Sequence, residues 1–163
     1  MHAKNNRMKR SSFIVMVLIT AVVACKKEDK TCPEVTITAP AAEVQNLKTF
    51  IQANNITAVE DARGFFYSID APGSGTKPDA CSKVSVDYVG KLTTGSVFDS
   101  GNNVSFYLSD LIIGWQEGIP LISLGGSITL YLPPSLAYGP SANGGIPANS
   151  NLVFQINLRK VYQ

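Results

Sequence analysis

Histidine is nearly absent: His2 is the only one in 163 residues, and it precedes an apolar run that reads as a leader. Removing that leader leaves no imidazole, so a His-based metal site and Ser-His or Cys-His nucleophilic catalysis are excluded, and metal binding is not expected. Charge is scarce too, at 16% of residues with a formal net charge of +2. Lys4, Arg7, Lys9 and Arg10 crowd the first ten residues, leaving ten basic against twelve acidic side chains beyond them. A slightly acidic body lacks the clustered Lys and Arg that neutralise phosphates, and no nucleic-acid partner is expected. Long hydrophobic runs are missing as well. The run over residues 13–24 has twelve residues, short of the roughly 20 that span a bilayer as a helix.

That run, led by bases, reads as a signal segment over residues 1–24. It ends in Val22-Val23-Ala24-Cys25, which resembles the bacterial lipobox, where a small residue precedes a cysteine that is diacylated and becomes the new N-terminus. A plain secretory signal with Cys25 near its cleavage point is the alternative. Several acyl chains, at about 0.8 kcal/mol per buried methylene, would hold the body at a membrane. Lys26 and Lys27 before Glu28 and Asp29 resemble a surface-export signal of lipoproteins, though a solvated tether reads the same way. Lys26 stands where an aspartate would favour inner-membrane retention, which points to a bacterial envelope protein at the outer membrane, facing either periplasm or surface. Of the three cysteines, Cys32 and Cys81 remain as a candidate disulfide, which an oxidising compartment permits and the sequence leaves undecided.

Residues 25–40 read as a tether and 41–63 as a helix with its connector. Pro40 suits a first helical position, Val44, Leu47 and Ile51 form an apolar stripe, and Asn54-Asn55 stops the helix. The stripe is expected to pack on the neighbouring domain, with a second copy's helix as the lesser alternative.

From residue 64 the period becomes two. Strands are expected over residues 65–69, 84–92, 96–99, 104–108, 127–132 and from 152 onward. A short helix is expected over 111–119, ended by Pro120, which lacks an amide proton. The loop over 133–151, rich in Pro, Gly, Ser and Asn, is of a length that is more often functional than idle. This is an α+β domain over 64–163, with five or six antiparallel strands and one internal helix.

Three aromatic-and-glycine signatures follow one another: Val97-Phe98-Asp99-Ser100, Gly114-Trp115-Gln116-Glu117-Gly118, and Leu132-Pro133-Pro134-Ser135-Leu136-Ala137-Tyr138-Gly139. Aromatics interleaved with strand alternation and glycines suggest a sheet around an aromatic-lined pocket. Trp115, Phe98 and Phe154 are each also ordinary core types, whereas Tyr88, Tyr138 and Asp99 need hydrogen-bond partners if they face a dry cavity. Asp99 directly after Phe98 is costly to bury without donors, which the two tyrosines can supply; a turn at Ser100-Gly101-Asn102-Asn103 is the alternative.

In this order and spacing the three signatures resemble the FKBP-type peptidyl-prolyl cis-trans isomerases, from Gly64 to the C-terminus and most strongly from Val84 onward. The resemblance implies a curled antiparallel sheet wrapped around one short helix, with a hollow that takes a proline side chain. It implies substrate contacts from Tyr88, Phe98, Val104, Leu111, Trp115 as the floor, Ile146 and Phe154, with Val104 a smaller wall than the Phe of some relatives. It also implies that the amide of Ile112 and the hydroxyl of Tyr138 hold substrate carbonyls, and that Asp99 polarises the site. Proline-containing polypeptides are the implied substrates, macrolides the implied inhibitors, and no cofactor is needed. A binding module on the same fold that captures proline-containing chains without turnover is the alternative.

Overall fold

The computed structural model describes Cys32 and residues 35–162; the signal segment, Cys25 and most of the tether lie outside them. Six strands form one antiparallel sheet: β1 (Val59–Glu60), β2 (Phe66–Ala71), β3 (Lys83–Leu92), β4 (Val97–Tyr107), β5 (Ser127–Leu132) and β6 (Leu152–Tyr162), in the order β1-β2-β5-β6-β3-β4. β3 and β6 share the longest pairing, from Lys83 opposite Tyr162 to Leu92 opposite Leu152.

Period-two patterning decides which face is core. On β6, Leu152, Phe154, Ile156 and Leu158 are buried while Gln155 and Asn157 between them, and Arg159 after them, are exposed. Val84 and Val86 of β3 and Ile128, Leu130 and Leu132 of β5 complete the inner face. A single-turn-scale helix, α2 (Ile113–Gly118), packs Trp115 and the following Ile119 against it. Gly114 and Gly118 sit one turn apart where this helix meets β5; a Cβ at Gly118 would stand 2.6 Å from the δ-carbons of Leu130, so any larger residue there would force Leu130 to shift.

The N-terminal helix α1 (Ala41–Ala53) covers part of the outer face. Its buried Leu47 and Ile51 join Phe66 and Tyr131, with Val44 and Val153 alongside, so the apolar stripe packs on the sheet. Pro40 is the residue just before the helix rather than its first residue, and Asn54 closes it by donating from Nδ2 to the Phe50 carbonyl at 2.8 Å. Glu43 accepts the Ser135 amide at 2.9 Å, and Arg63 pairs with Glu117 of α2 at 3.0 Å.

Two expectations need correction. The internal helix does not open at Leu111: Leu111 and Ile112 are extended (ψ 174° and 148°), and α2 starts at Ile113. At its other end α2 stops at Gly118, with Ile119 as its C-cap, just ahead of Pro120 as expected, and Pro120 lies in a 3-10 turn, Ile119–Leu121, near the start of which no amide donor is required. The strands expected over 96–99 and 104–108 are one strand, β4, so Ser100 to Asn103 continue the ladder through a bulge instead of turning the chain. Sequence reading also passed over the two-residue β1, inside the connector.

Candidate active site

The curled inner face leaves a hollow beside α2. Tyr88 reaches it from β3, Asp99 and Phe106 from β4, Phe154 from β6, and Trp115 from α2. Leu111 and Ile112, between the 3-10 turn Leu108–Asp110 and α2, form a further wall, and Tyr138 leans in from the loop after the 3-10 turn Pro134–Leu136. These eight residues enclose about 120 Å³. The Trp115 indole, only 4% exposed, meets three rings edge-on: Tyr88 at 5.2 Å between centroids, Phe154 at 5.3 Å and Phe106 at 6.0 Å. Such perpendicular contacts set ring edges against ring faces, the geometry that the aromatic quadrupole favours. Among the described residues the indole Nε1 has no hydrogen-bond partner, so ring contacts position the floor.

The polar side of the hollow is narrow. The Tyr88 hydroxyl donates to Asp99 Oδ2 at 2.8 Å, and the Ser100 amide donates to Asp99 Oδ1 at 2.8 Å. Burial, and then the bond to Asp99, pushes the Tyr88 phenol up to about 12 from 10.0, so it stays a donor throughout the neutral range. Burial first, and the charge of Asp99 second, also raise Tyr138. Of the two tyrosines able to supply bonds to this carboxylate only Tyr88 does: among the described residues Asp99 takes only the Tyr88 phenol and the Ser100 amide. Asp99 needs no more, since it stands exposed at the rim rather than buried. Among the described residues the Ile112 amide has no acceptor, and Ile112 lines the same hollow.

A bulge in β4 aligns this pair. Val86 opposes Val104 and Tyr88 opposes Gly101, so β4 spends one residue more than β3 over that interval. Asn103 takes the left-handed conformation, φ 54°, and its amide donates to Asp87 Oδ1 at 2.7 Å while the Ser85 hydroxyl donates to its side-chain oxygen at 2.7 Å. The Arg159 guanidinium holds the other oxygen of Asp87 from β6, through Nε at 2.7 Å. The Asn103 amide, and then Arg159, keep the Asp87 carboxyl below its usual range. A Cβ at Gly101 would lie 2.7 Å from the Tyr88 ring, so the phenol reaches Asp99 only across a glycine.

Of the ten positions singled out from sequence as catalytic or substrate-binding, Tyr88, Asp99, Leu111, Ile112, Trp115, Tyr138 and Phe154 line the hollow. Phe98 and Ile146 do not. They line an adjoining recess of about 190 Å³ that shares Asp99 and Tyr138 and is closed by Asn143, Gly144 and Gly145. Phe98 still supports the first hollow indirectly, meeting Phe154 edge-on at 5.6 Å. Val104 lines neither space; the wall is Phe106, two positions on along the same strand face, which alternation from Val104 would have found. Cys32 and Cys81 are joined by a disulfide, with their Cα atoms 5.6 Å apart.

Curated relatives include the FKBP-type peptidyl-prolyl cis-trans isomerase FkpA of Buchnera aphidicola from Acyrthosiphon pisum, 43% identical over 60% of this chain and 42% of its own length. FkpA of Escherichia coli K12 is 42% identical over 60% of this chain and 38% of its own length. The chain thus spans about two-fifths of the curated relatives it matches. Among solved structures, a peptidyl-prolyl cis-trans isomerase from Pseudomonas syringae pv. tomato is 34% identical with a TM-score of 0.66, covering 77% of this chain and 98% of that one. The crystal structure of Escherichia coli FkpA is 36% identical with a TM-score of 0.65, covering 74% of this chain and 58% of that one. Residues 74–159 match the family model for the FKBP-type peptidyl-prolyl cis-trans isomerase, and the chain belongs to that family.

Proposed function

We propose that this protein accelerates cis-trans rotation about X-Pro bonds, taking the proline ring of a polypeptide into the hollow over Trp115. The observation that carries this reading is the buried indole edged by Tyr88, Phe106 and Phe154 beneath an open polar rim. Rotation of a prolyl amide faces a barrier of about 18–20 kcal/mol, because resonance gives the C–N bond partial double character. The planar amide is more polar than its twisted form. Moving it from water to a ring-walled site therefore weakens the ground state more than the transition state, and each ~1.4 kcal/mol gained is tenfold in rate.

The rim supplies orientation. In this reading the Ile112 amide and the Tyr138 hydroxyl each donate to a substrate carbonyl, while Asp99, already holding Tyr88, sets a fixed negative charge beside the rotating amide. Phe98, Ile146 and the glycines of the adjoining recess contact the chain flanking proline. Val104 supports the wall from behind the Gly101 bulge, and macrolide inhibitors compete for the same hollow.

We place the protein in the bacterial envelope, held by lipid on Cys25 at the outer membrane, where secreted or envelope proteins are its clients. The lipobox-like Val22-Val23-Ala24-Cys25 and the Cys32–Cys81 bond, which suits an oxidising compartment, support this. Mass measurement of the mature N-terminal peptide tests it: a diacylated Cys25 is expected, and an unmodified one removes the anchor. Turnover itself is tested by a prolyl-peptide isomerisation assay on the full chain. Rates above the uncatalysed reaction are expected, and a rate equal to buffer leaves only a non-catalytic, proline-binding role.

A further inference from the structure

We propose that the end of the sheet carrying Lys83, Tyr107, Tyr162 and Lys160 docks on an anionic lipid surface and turns the hollow away from the bilayer; this rests on the anchored reading of Cys25. Lys83 stands directly between Tyr107 of β4 and Tyr162 of β6 in the strand register. Its Nζ lies 5.4 Å from one ring centroid and 5.2 Å from the other, and the Lys160 Nζ lies 4.4 Å from the Tyr162 ring. Both rings are out in solvent, Tyr107 at 52% and Tyr162 at 36% exposure. Two exposed tyrosines interleaved with two lysines form the composition that sits at headgroup level, rings at the boundary and ammonium groups toward anionic phosphates.

Strand alternation sets the orientation. Val84, next to Lys83, is fully buried, and Phe106, next to Tyr107, lines the hollow, so the ladder and the hollow occupy opposite faces of β3 and β4. Docking therefore leaves the substrate site open. α1 covers the Phe66 and Tyr131 part of the outer face and does not reach this ladder.

The tether arrives at the same place. Cys81 lines a groove with Lys83, Tyr107 and Tyr162, and Cys32 is bonded to it. Cys25 lies seven positions before Cys32, a reach of at most roughly 25 Å of extended chain. An anchor so short brings this edge, rather than a distant one, to the membrane. Asp79 is the acid in the groove, and its carboxylate is occupied by the Cys81 amide and the Ser82 hydroxyl. Asp87, farther along β3, is paired with Arg159.

The test is a lysine footprint on the full chain bound to phosphatidylcholine vesicles with or without phosphatidylglycerol. Acylation of Lys83 and Lys160, read by peptide mass, is expected to fall several-fold only when phosphatidylglycerol is present. It should recover in high salt, because screening weakens surface attraction. Lys91, at the other end of β3, should stay equally reactive. The Tyr107→Ser/Tyr162→Ser variant should lose the protection of Lys160 while keeping small-peptide turnover. Equal labelling on both vesicle types, or protection that survives this substitution, overturns the docking. The Cys25 peptide is weighed in the same sample. An acylated Cys25 without a footprint defeats the docking alone, a footprint on an unacylated chain defeats the anchor alone, and neither signal defeats both.

Discussion

The Tyr88 phenol and the Asp99 carboxylate meet at 2.8 Å across adjacent strands, over the edge of a buried indole. Asp99 is exposed at the rim, so its removal should cost chemistry rather than folding. We expect Asp99→Ala to lower kcat/KM about tenfold or more, roughly 1.4 kcal/mol of transition-state stabilisation. The thermal midpoint should stay near that of the unaltered protein. Prolyl-peptide kinetics beside a melting curve check it; unchanged kinetics take Asp99 out of the site.

Tyr88 also makes an alkaline signature. Its phenol is pushed up to about 12 in the fold against 10.0 for an unperturbed group, so the folded state favours the neutral form. That contribution is whole below pH 10 and disappears as pH rises from 10 toward 12, because the unfolded chain ionises first. Urea midpoints of the wild type should fall relative to Tyr88→Phe across this window, the other tyrosines cancelling in the comparison. A constant gap contradicts the assignment.

The disulfide between Cys32 and Cys81 closes a loop with a sequence separation of 49. Loop-closure entropy assigns such a bridge about 4 kcal/mol. Reduction, or Cys32→Ser with Cys81→Ser, should lower the urea midpoint substantially and leave turnover of the surviving folded fraction unchanged, since neither cysteine lines the hollow. Equal midpoints with and without reductant count against it.

Gly118 tests the packing of α2. A methyl there would press on the δ-carbons of Leu130, which are fully buried, so Gly118→Ala should destabilise by about 1–3 kcal/mol through overpacking. The second change Leu130→Val should recover part of the loss, where independent effects would add. Additive denaturation energies would show that the two positions are not in contact.

The strands were legible where one face is uniformly apolar. Leu152, Phe154, Ile156 and Leu158 alternate without interruption, and burial follows that alternation. Seven of the ten site positions surround one hollow, although they come from β3, β4, β6, α2, the extended link before α2 and the loop after the Pro134–Leu136 turn. The β4 bulge was not legible, since it is held by Ser85, Asp87 and Arg159, residues far from Asn103 in the chain whose convergence exists only in the folded sheet. For the same reason Ser100 to Asn103 resemble a turn in one dimension and continue a strand in three. The start of α2 was hidden by apolar Leu111 and Ile112, which satisfy a helical pattern yet are extended. Phe106 lies on the same strand face as Val104, and the contacts with Tyr88 and Trp115 that set it in the wall of the hollow exist only in the folded sheet.

The proposed seating of proline over Trp115 is tested most directly by nuclear Overhauser contacts between a bound X-Pro peptide and the indole. Cross-peaks from the proline ring protons to Trp115, with weaker ones to the Tyr88 and Phe154 rings, are the predicted result. Proline contacts confined to the recess of Phe98 and Ile146, or a bound peptide with none to the indole, would contradict it.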